Sequence, residues 1–193
     1  MPPKLIRTDM GELFPMSRRS KGKHVSAAIY KIMKAIHPDR FDDRPIDILR
    51  ANLGNALEHA IVGGLIQSDP QRYVRPGELE HEDWYGTPDL WDLGPNHSKD
   101  IAGWTTIEIK MTWASLNRAD DIESEWWWRY WIQLQAYCYM AGIRRGHLII
   151  CFVNGNYGRD PDDPNSGPQV RVWENEWTPE ELLETWQMLK AQC

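Results

Sequence analysis

Apolar positions along the chain fall into blocks of two kinds, helix-spaced and alternating, and the spacing decides which element each block can form. Residues 23–36 read as a first helix, which stops before His37-Pro38 because a residue preceding proline is pushed out of the helical region. Pro45 opens a second helical stretch to about residue 67, with Ile48, Leu49, Leu53, Leu57, Ile61 and Leu65 near helical spacing. The paired Gly63-Gly64 is expected to weaken its end. Short strands are expected at 73–74, 81–85 and 88–93, followed by the alternating run Trp104-Thr105-Thr106-Ile107-Glu108-Ile109-Lys110-Met111-Thr112. In that strand Ile107, Ile109 and Met111 enter the core, while Glu108 and Lys110 emerge together on the other face. Gly94-Pro95-Asn96-His97-Ser98-Lys99 reads as the hairpin turn between the last two strands.

Further on, residues 120–143 predict a helix ended by Gly142 or Gly146, and 147–153 and 170–173 predict strands. Residues 154–167 are rich in Gly, Asn, Asp and Pro and read as a mobile loop; residues 1–20 read as an irregular arm. Thr178-Pro179-Glu180-Glu181 begins a last helix, with a capping threonine, proline in the first turn and acids at the positive end of the dipole. Helix, helix, three or more strands, helix, strand, strand, helix fits an α/β sandwich with a mixed central sheet.

Composition narrows the class. At 193 residues, 41% hydrophobic and 26% charged, the chain is expected to be one soluble domain that buries a full core. No apolar run approaches a membrane span, and Met1-Pro2-Pro3-Lys4 lacks the apolar stretch of a signal peptide. Cys138, Cys151 and Cys193 are odd in number and scattered, which argues against a disulfide framework, a zinc knuckle or an iron–sulfur cluster. A reducing cytoplasm is the expected location.

The net charge of −6 hides an asymmetry. The first 50 residues hold 11 Lys or Arg against 6 Asp or Glu, and the other 143 hold 11 against 22. Arg18, Arg19, Lys21, Lys23, Lys31 and Lys34 form an acid-free stretch that can grip phosphates, or else a solvated arm and helix face.

The candidate chemistry lies in Gly86-Thr87-Pro88-Asp89, followed nineteen residues after Asp89 by Glu108-Ile109-Lys110. An acid and an amine two apart on a strand, with a second acid from a neighbouring strand, suit a hard cation and a polarised water. Two carboxylates and a main-chain carbonyl favour Mg²⁺ or Mn²⁺. In outline this is a site for phosphodiester hydrolysis.

These residues resemble the core of the PD-(D/E)XK nucleases, and their neighbours resemble its RecB-like, phage lambda-type exonuclease branch. Leu53-Gly54-Asn55-Ala56-Leu57-Glu58-His59 is similar to the helix that gives that branch an extra ligand, and Gln133-Leu134-Gln135-Ala136-Tyr137 to its Gln-x-x-x-Tyr helix. The resemblance covers about residues 54–153, the catalytic core, preceded by a basic arm and helix over 1–45. It implies a restriction-endonuclease-like α/β core, a mixed central β-sheet flanked by helices. It also implies that Asp89, Glu108 and the Ile109 carbonyl hold Mg²⁺ (or Mn²⁺), with Lys110 positioning or activating the attacking water. Glu58 is the expected further ligand. Glu58 and His59 point about 100° apart on a helix, so both cannot face one ion, and His59 is expected on the helix surface. Gln133 and Tyr137 share a helix face and are expected to support the lysine and the scissile-strand phosphates.

The resemblance implies DNA as partner, at a duplex end or as a single strand. A recombination or annealing protein and a homo-oligomer are further partners that it leaves open, and no membrane is expected. In Trp126-Trp127-Trp128-Arg129-Tyr130-Trp131 the rings are core or base-stacking platforms, with Arg129 beside them as a nucleic-acid contact. The expected activity is that of an exonuclease in phage or bacterial DNA recombination and processing. A junction-resolvase-like endonuclease, a silent DNA-binding module of the same fold and a partner-docking protein with a Trp-rich helix are the alternatives. Phosphate-loop, nucleophile-elbow and His-Glu-x-x-His signatures are absent from the sequence.

Overall fold

A computed structural model of the chain describes residues 21–38, 48–114, 125–153 and 169–192. The expected arm over 1–20, Pro45, the start of the helix at 120 and the loop at 154–167 lie outside the described residues.

The elements in chain order are β1 (Lys23–His24), α1 (Val25–Ile36), α2 (Ile48–Ser68), β2 (Tyr73–Val74), β3 (Leu79–His81), β4 (Trp84–Gly86), β5 (Leu90–Asp92), β6 (Thr105–Thr112), α3 (Glu125–Ala141), β7 (Arg145–Phe152), β8 (Gln169–Glu176) and α4 (Pro179–Lys190). A five-stranded mixed sheet runs β2-β5-β6-β7-β8, and a small three-stranded sheet runs β1-β4-β3. Among the described strands of the large sheet only β6 and β7 are parallel, in register from Thr105↔Arg145 to Thr112↔Phe152. A parallel pair needs a crossover, and the segment containing α3 supplies it.

The central strand β6 is covered on both faces, unlike the one-sided burial that alternation suggested. On one face α2 sets Val62 against Leu90, Ile107 and Ile109, with Ile61, Leu65 and Ile66 packed around them. On the other, α3 sets Trp127, Leu134 and Cys138 against Leu148, Ile150 and Phe152 of β7, joined by Trp177 and Leu182. Glu108 therefore emerges beneath a helix and not into water. A third cluster packs Val25, Ala28, Ile29, Ile32 and Met33 of α1 against Trp84, Ile132, Ala136, Tyr137, Trp186 and Leu189. No described helix is long and apolar enough to cross a membrane.

Three local readings are sharpened. The strand expected at 81–85 is two strands, reversed by a two-residue turn in which Glu82 (φ 50°) and Asp83 (φ 63°) are both left-handed. Such hairpin turns favour Asn-Gly, so Glu-Asp gave no turn signal. Tertiary contacts hold it instead: the Glu82 carboxylate accepts from Lys190 Nζ at 2.6 Å and from Trp186 Nε1 at 3.3 Å. α2 runs through Gly63-Gly64 to Ser68, close to the end expected near residue 67, with Val62, Leu65 and Ile66 packed on the sheet. α3 ends at Ala141, with Gly142 left-handed at φ +70°. At α4 the capping box is complete, Thr178 accepting from the Glu181 N–H and Glu181 accepting from the Thr178 N–H.

A Cβ at Gly63 or Gly64 would meet nothing within 4 Å, and neither residue is left-handed. Gly63→Ala and Gly64→Ala should each stabilise the fold by about 0.5–1 kcal/mol, read from urea midpoints. A loss of stability at both positions would contradict the account of α2.

Candidate active site

The site follows from unequal strand lengths. β5 pairs with β6 only from Asp92↔Thr105 to Leu90↔Ile107, whereas β6 continues to Thr112. Beyond Ile107 the chain preceding β5 turns away, and a side chain takes over from the ladder: Asp89 Oδ2 accepts the Ile109 N–H at 2.7 Å. The N–H and C=O of one strand residue point to the same side, so the Ile109 carbonyl faces the gap that Asp89 occupies. Asp89 is 7% exposed and Glu108 1% exposed, and Lys110 Nζ donates to Glu108 Oε1.

Glu58 reaches this place from α2. It lies one turn before Ile61 and Val62, on the stripe that packs against β5 and β6, and Gly54 one turn further back lies near Met111. Its carboxylate interacts electrostatically with Asp89 and Lys110 and accepts from an Arg75 guanidinium nitrogen at 3.3 Å. His59 is exposed, with Nδ1 2.7 Å from the Asn55 carbonyl oxygen of the preceding turn.

From the opposite face α3 contributes Gln133 and Tyr137. Gln133 Nε2 donates to Tyr137 Oη at 2.9 Å, and Tyr137 is buried where its hydroxyl interacts with Glu108, Lys110 and Asp89. The ring of Tyr137 is at the same time part of the α1 core, so packing and site roles coincide. One turn before Gln133, Tyr130 lies with its ring centroid 5.9 Å from Lys110 Nζ, and Arg129 donates to its hydroxyl at 2.9 Å. Gly86 explains itself here, since a Cβ would fall 2.5 Å from the Tyr137 ring.

Lys21 before β1, Lys23 in β1, and Lys31 and Lys34 on α1 are exposed, and Lys23 Nζ lies 5.6 Å from the Trp84 ring centroid. Arg18 and Arg19 lie outside the described residues. Sequence reasoning missed Arg75 and Tyr130. For Tyr130 the signal was its place three residues before Gln133; for Arg75 nothing short of the strand register marks it.

Electrostatics follow from burial. Desolvation and the neighbouring Asp89 carboxylate push the Glu108 carboxyl up to about 8, against the pull of Lys110. Glu58 is raised for the same reasons, burial first and Asp89 second. Burial alone would lower the Lys110 ammonium, but Glu108 and Asp89 outweigh it and hold the amine raised and charged. Burial, then Glu108, raises the Tyr137 hydroxyl, which stays neutral.

Each carboxylate has one oxygen committed to a protein donor: Asp89 to Ile109 N–H, Glu108 to Lys110, Glu58 to Arg75. Among the described residues no three His, Cys, Asp or Glu side chains stand as a ready set for a metal ion. The chemistry of the place nevertheless fits a hard cation. Glu108 Oε2 is fully buried without a hydrogen-bond partner, and the nearby donors are carboxylate and carbonyl oxygens, not sulfur or imidazole. Three carboxyl groups beside Lys110 and Arg75 carry, once all are ionised, more negative charge than those two cations offset, and a divalent ion would make up the difference.

Comparison with solved structures gives the fold. The alkaline exonuclease LHK-Exo from Laribacter hongkongensis, in complex with dAMP, matches with a TM-score of 0.58 and 17% identity, over 89% of this chain and 85% of that one. A second LHK-Exo structure gives 0.54 and 16% over the same shares. A phage-related exonuclease from Haemophilus somnus 129PT gives 0.52 and 12%, over 86% and 78%. No family model matches the chain, and no curated protein matches it in sequence. The mixed sheet flanked by helices is thus a fold shared with these exonuclease structures.

Two outcomes follow. An unfolded glutamate titrates near 4.5, so between about 4.5 and 8 the folded chain holds a proton at Glu108 that the unfolded chain lacks. With metal ions chelated, this contribution to stability falls as pH rises through that window. Glu108→Gln should flatten the slope and be the more stable protein at pH 8; urea curves with identical pH slopes would refute this. Gly86→Ala should cost roughly 1–3 kcal/mol because the Tyr137 ring must move. In a Tyr137→Ala background the same change should cost at least about 1 kcal/mol less, and strict additivity in the cycle would remove the explanation.

Proposed function

We propose that the chain is a divalent-metal-dependent deoxyribonuclease that hydrolyses phosphodiester bonds, acting as an exonuclease in phage or bacterial DNA recombination and processing. One observation carries the reading. Asp89, Glu108 and Lys110 converge where β6 outruns β5, around a buried carboxylate oxygen with no protein partner, in a fold of the nuclease type. The likeness to exonucleases, one of them crystallised with a deoxynucleotide, supports DNA as substrate.

Asp89, Glu108, the Ile109 carbonyl and Glu58 would hold Mg²⁺ or Mn²⁺, which when bound neutralises phosphate charge and makes a coordinated water a better nucleophile. The side chains supply the remainder. Glu108 and Asp89 keep Lys110 protonated, so it acts as a hydrogen-bond donor to the attacking water or to the charge developing on the phosphate. Tyr137 accepts from Gln133, which leaves its own proton to donate into the same space. Arg129 and the basic residues of β1 and α1 are proposed to grip the strand through its phosphates.

The test compares wild type with Asp89→Ala and Lys110→Ala on linear and covalently closed circular DNA, in Mg²⁺, Mn²⁺ or EDTA. Linear DNA should be degraded with either ion and spared in EDTA, and the closed circle should survive because an exonuclease needs an end. Both substitutions should lower the rate at least about 100-fold. Full activity in the variants, or activity that outlasts chelation, would discard the mechanism; cutting of the closed circle would replace exonuclease by endonuclease.

A further inference from the structure

Arg75 follows β2, whose ladder with β5 ends at Val74↔Trp91. One more step in that register sets it across from Leu90, next to Asp89. Alternation sends Arg75 to the same face as Tyr73, which packs against the α2-facing cluster. There it meets Glu58, Arg75 Nη2 donating to Glu58 Oε1 at 3.3 Å, and its side chain remains 40% exposed. Two observations limit what this pair can be. Glu58 stands among Asp89, Glu108 and Lys110, so the arginine belongs electrostatically to the carboxylate cluster. Only one of its nitrogens engages Glu58, at the long end of hydrogen bonding, whereas Arg72 three residues earlier grips Asp92 with two contacts at 2.7 Å. Arg72–Asp92 has the geometry of a structural clamp, and Arg75–Glu58 that of a loose, exchangeable contact.

We infer that Arg75 is an exchangeable counterion of this site: it neutralises Glu58 while no cation is bound, and turns to a backbone phosphate of the bound strand when Glu58 becomes a ligand. The inference rests on the nuclease reading and adds a positioning residue to it. A guanidinium suits the second task, since its planar fork matches phosphate oxygens and its charge does not titrate. The two tasks have opposite consequences for the two ligands. A fixed positive charge beside a cation site weakens cation binding, whereas the same charge beside a phosphate strengthens strand binding. A merely structural arginine would weaken both together.

The test measures both affinities. Mn²⁺ is titrated calorimetrically into wild type, Arg75→Ala and Arg75→Lys without DNA. Binding of a labelled linear duplex is then followed by anisotropy over a salt series in Mn²⁺, in a Lys110→Ala background so that the strand stays intact. Arg75→Ala should bind Mn²⁺ at least about threefold tighter, yet bind DNA more weakly, with a salt slope reduced by about 0.9 for one lost phosphate contact. Arg75→Lys keeps the charge and should retain most of the slope, which also controls for folding. Unchanged constants in Arg75→Ala, or a parallel loss of both affinities, would overturn the exchange. If wild type still degrades linear DNA in that case, only the role of Arg75 falls; if wild type binds neither Mn²⁺ nor DNA, the nuclease reading falls with it.

Discussion

A glutamate buried to 1% exposure in the middle of a sheet is the constraint around which the structure is arranged. Isolated, such a carboxylate would cost several kcal/mol of desolvation, so it persists only with compensation. Lys110 provides part of it by donating to one oxygen. Asp89 does not, because it adds a second negative charge within reach of the first. The result is a deliberate imbalance: more carboxylate than the protein's own cations neutralise, with one buried oxygen of Glu108 left unpartnered. Ordinary cores avoid such arrangements, and their natural explanation is a ligand that brings positive charge.

The fold produces that imbalance by simple means. β7 pairs with β6 along its whole length, but β5 is too short to do so on the other side. The stretch of β6 beyond Ile107 that β5 leaves unpaired becomes the floor of the site, and Asp89 is anchored there by a main-chain N–H. α2 crosses one face and α3 the other, so Glu58 and Tyr137 approach from opposite sides. Gly86 lets the ring of Tyr137 lie against β4, which joins the small sheet and the α1 core to the geometry of the site.

Much of this was legible in the sequence because it depends on local rules. The alternation from Thr105 to Thr112, the Pro-Asp preceding a short strand, the Thr178 capping box and the one-turn spacing of Gln133 and Tyr137 are all encoded within a few residues. What escaped depends on distant partners. Burial of β6 on both faces requires knowing that two helices flank it. The Glu82-Asp83 reversal is held by Lys190 and Trp186, more than a hundred residues away. Arg75 comes to Glu58 only through the β2–β5 register, which no motif announces.

The central claim is that the cluster of Glu108, Asp89 and the Ile109 carbonyl receives a divalent cation. Crystals soaked in Mn²⁺ and measured at a wavelength where manganese scatters anomalously test it directly. The account requires an anomalous peak within coordination distance of Glu108 and Asp89, with the Glu108–Lys110 contact loosened and the Ile109 carbonyl turned to the ion. A well-diffracting soak with no peak there, Glu108 still bonded to Lys110, would contradict it.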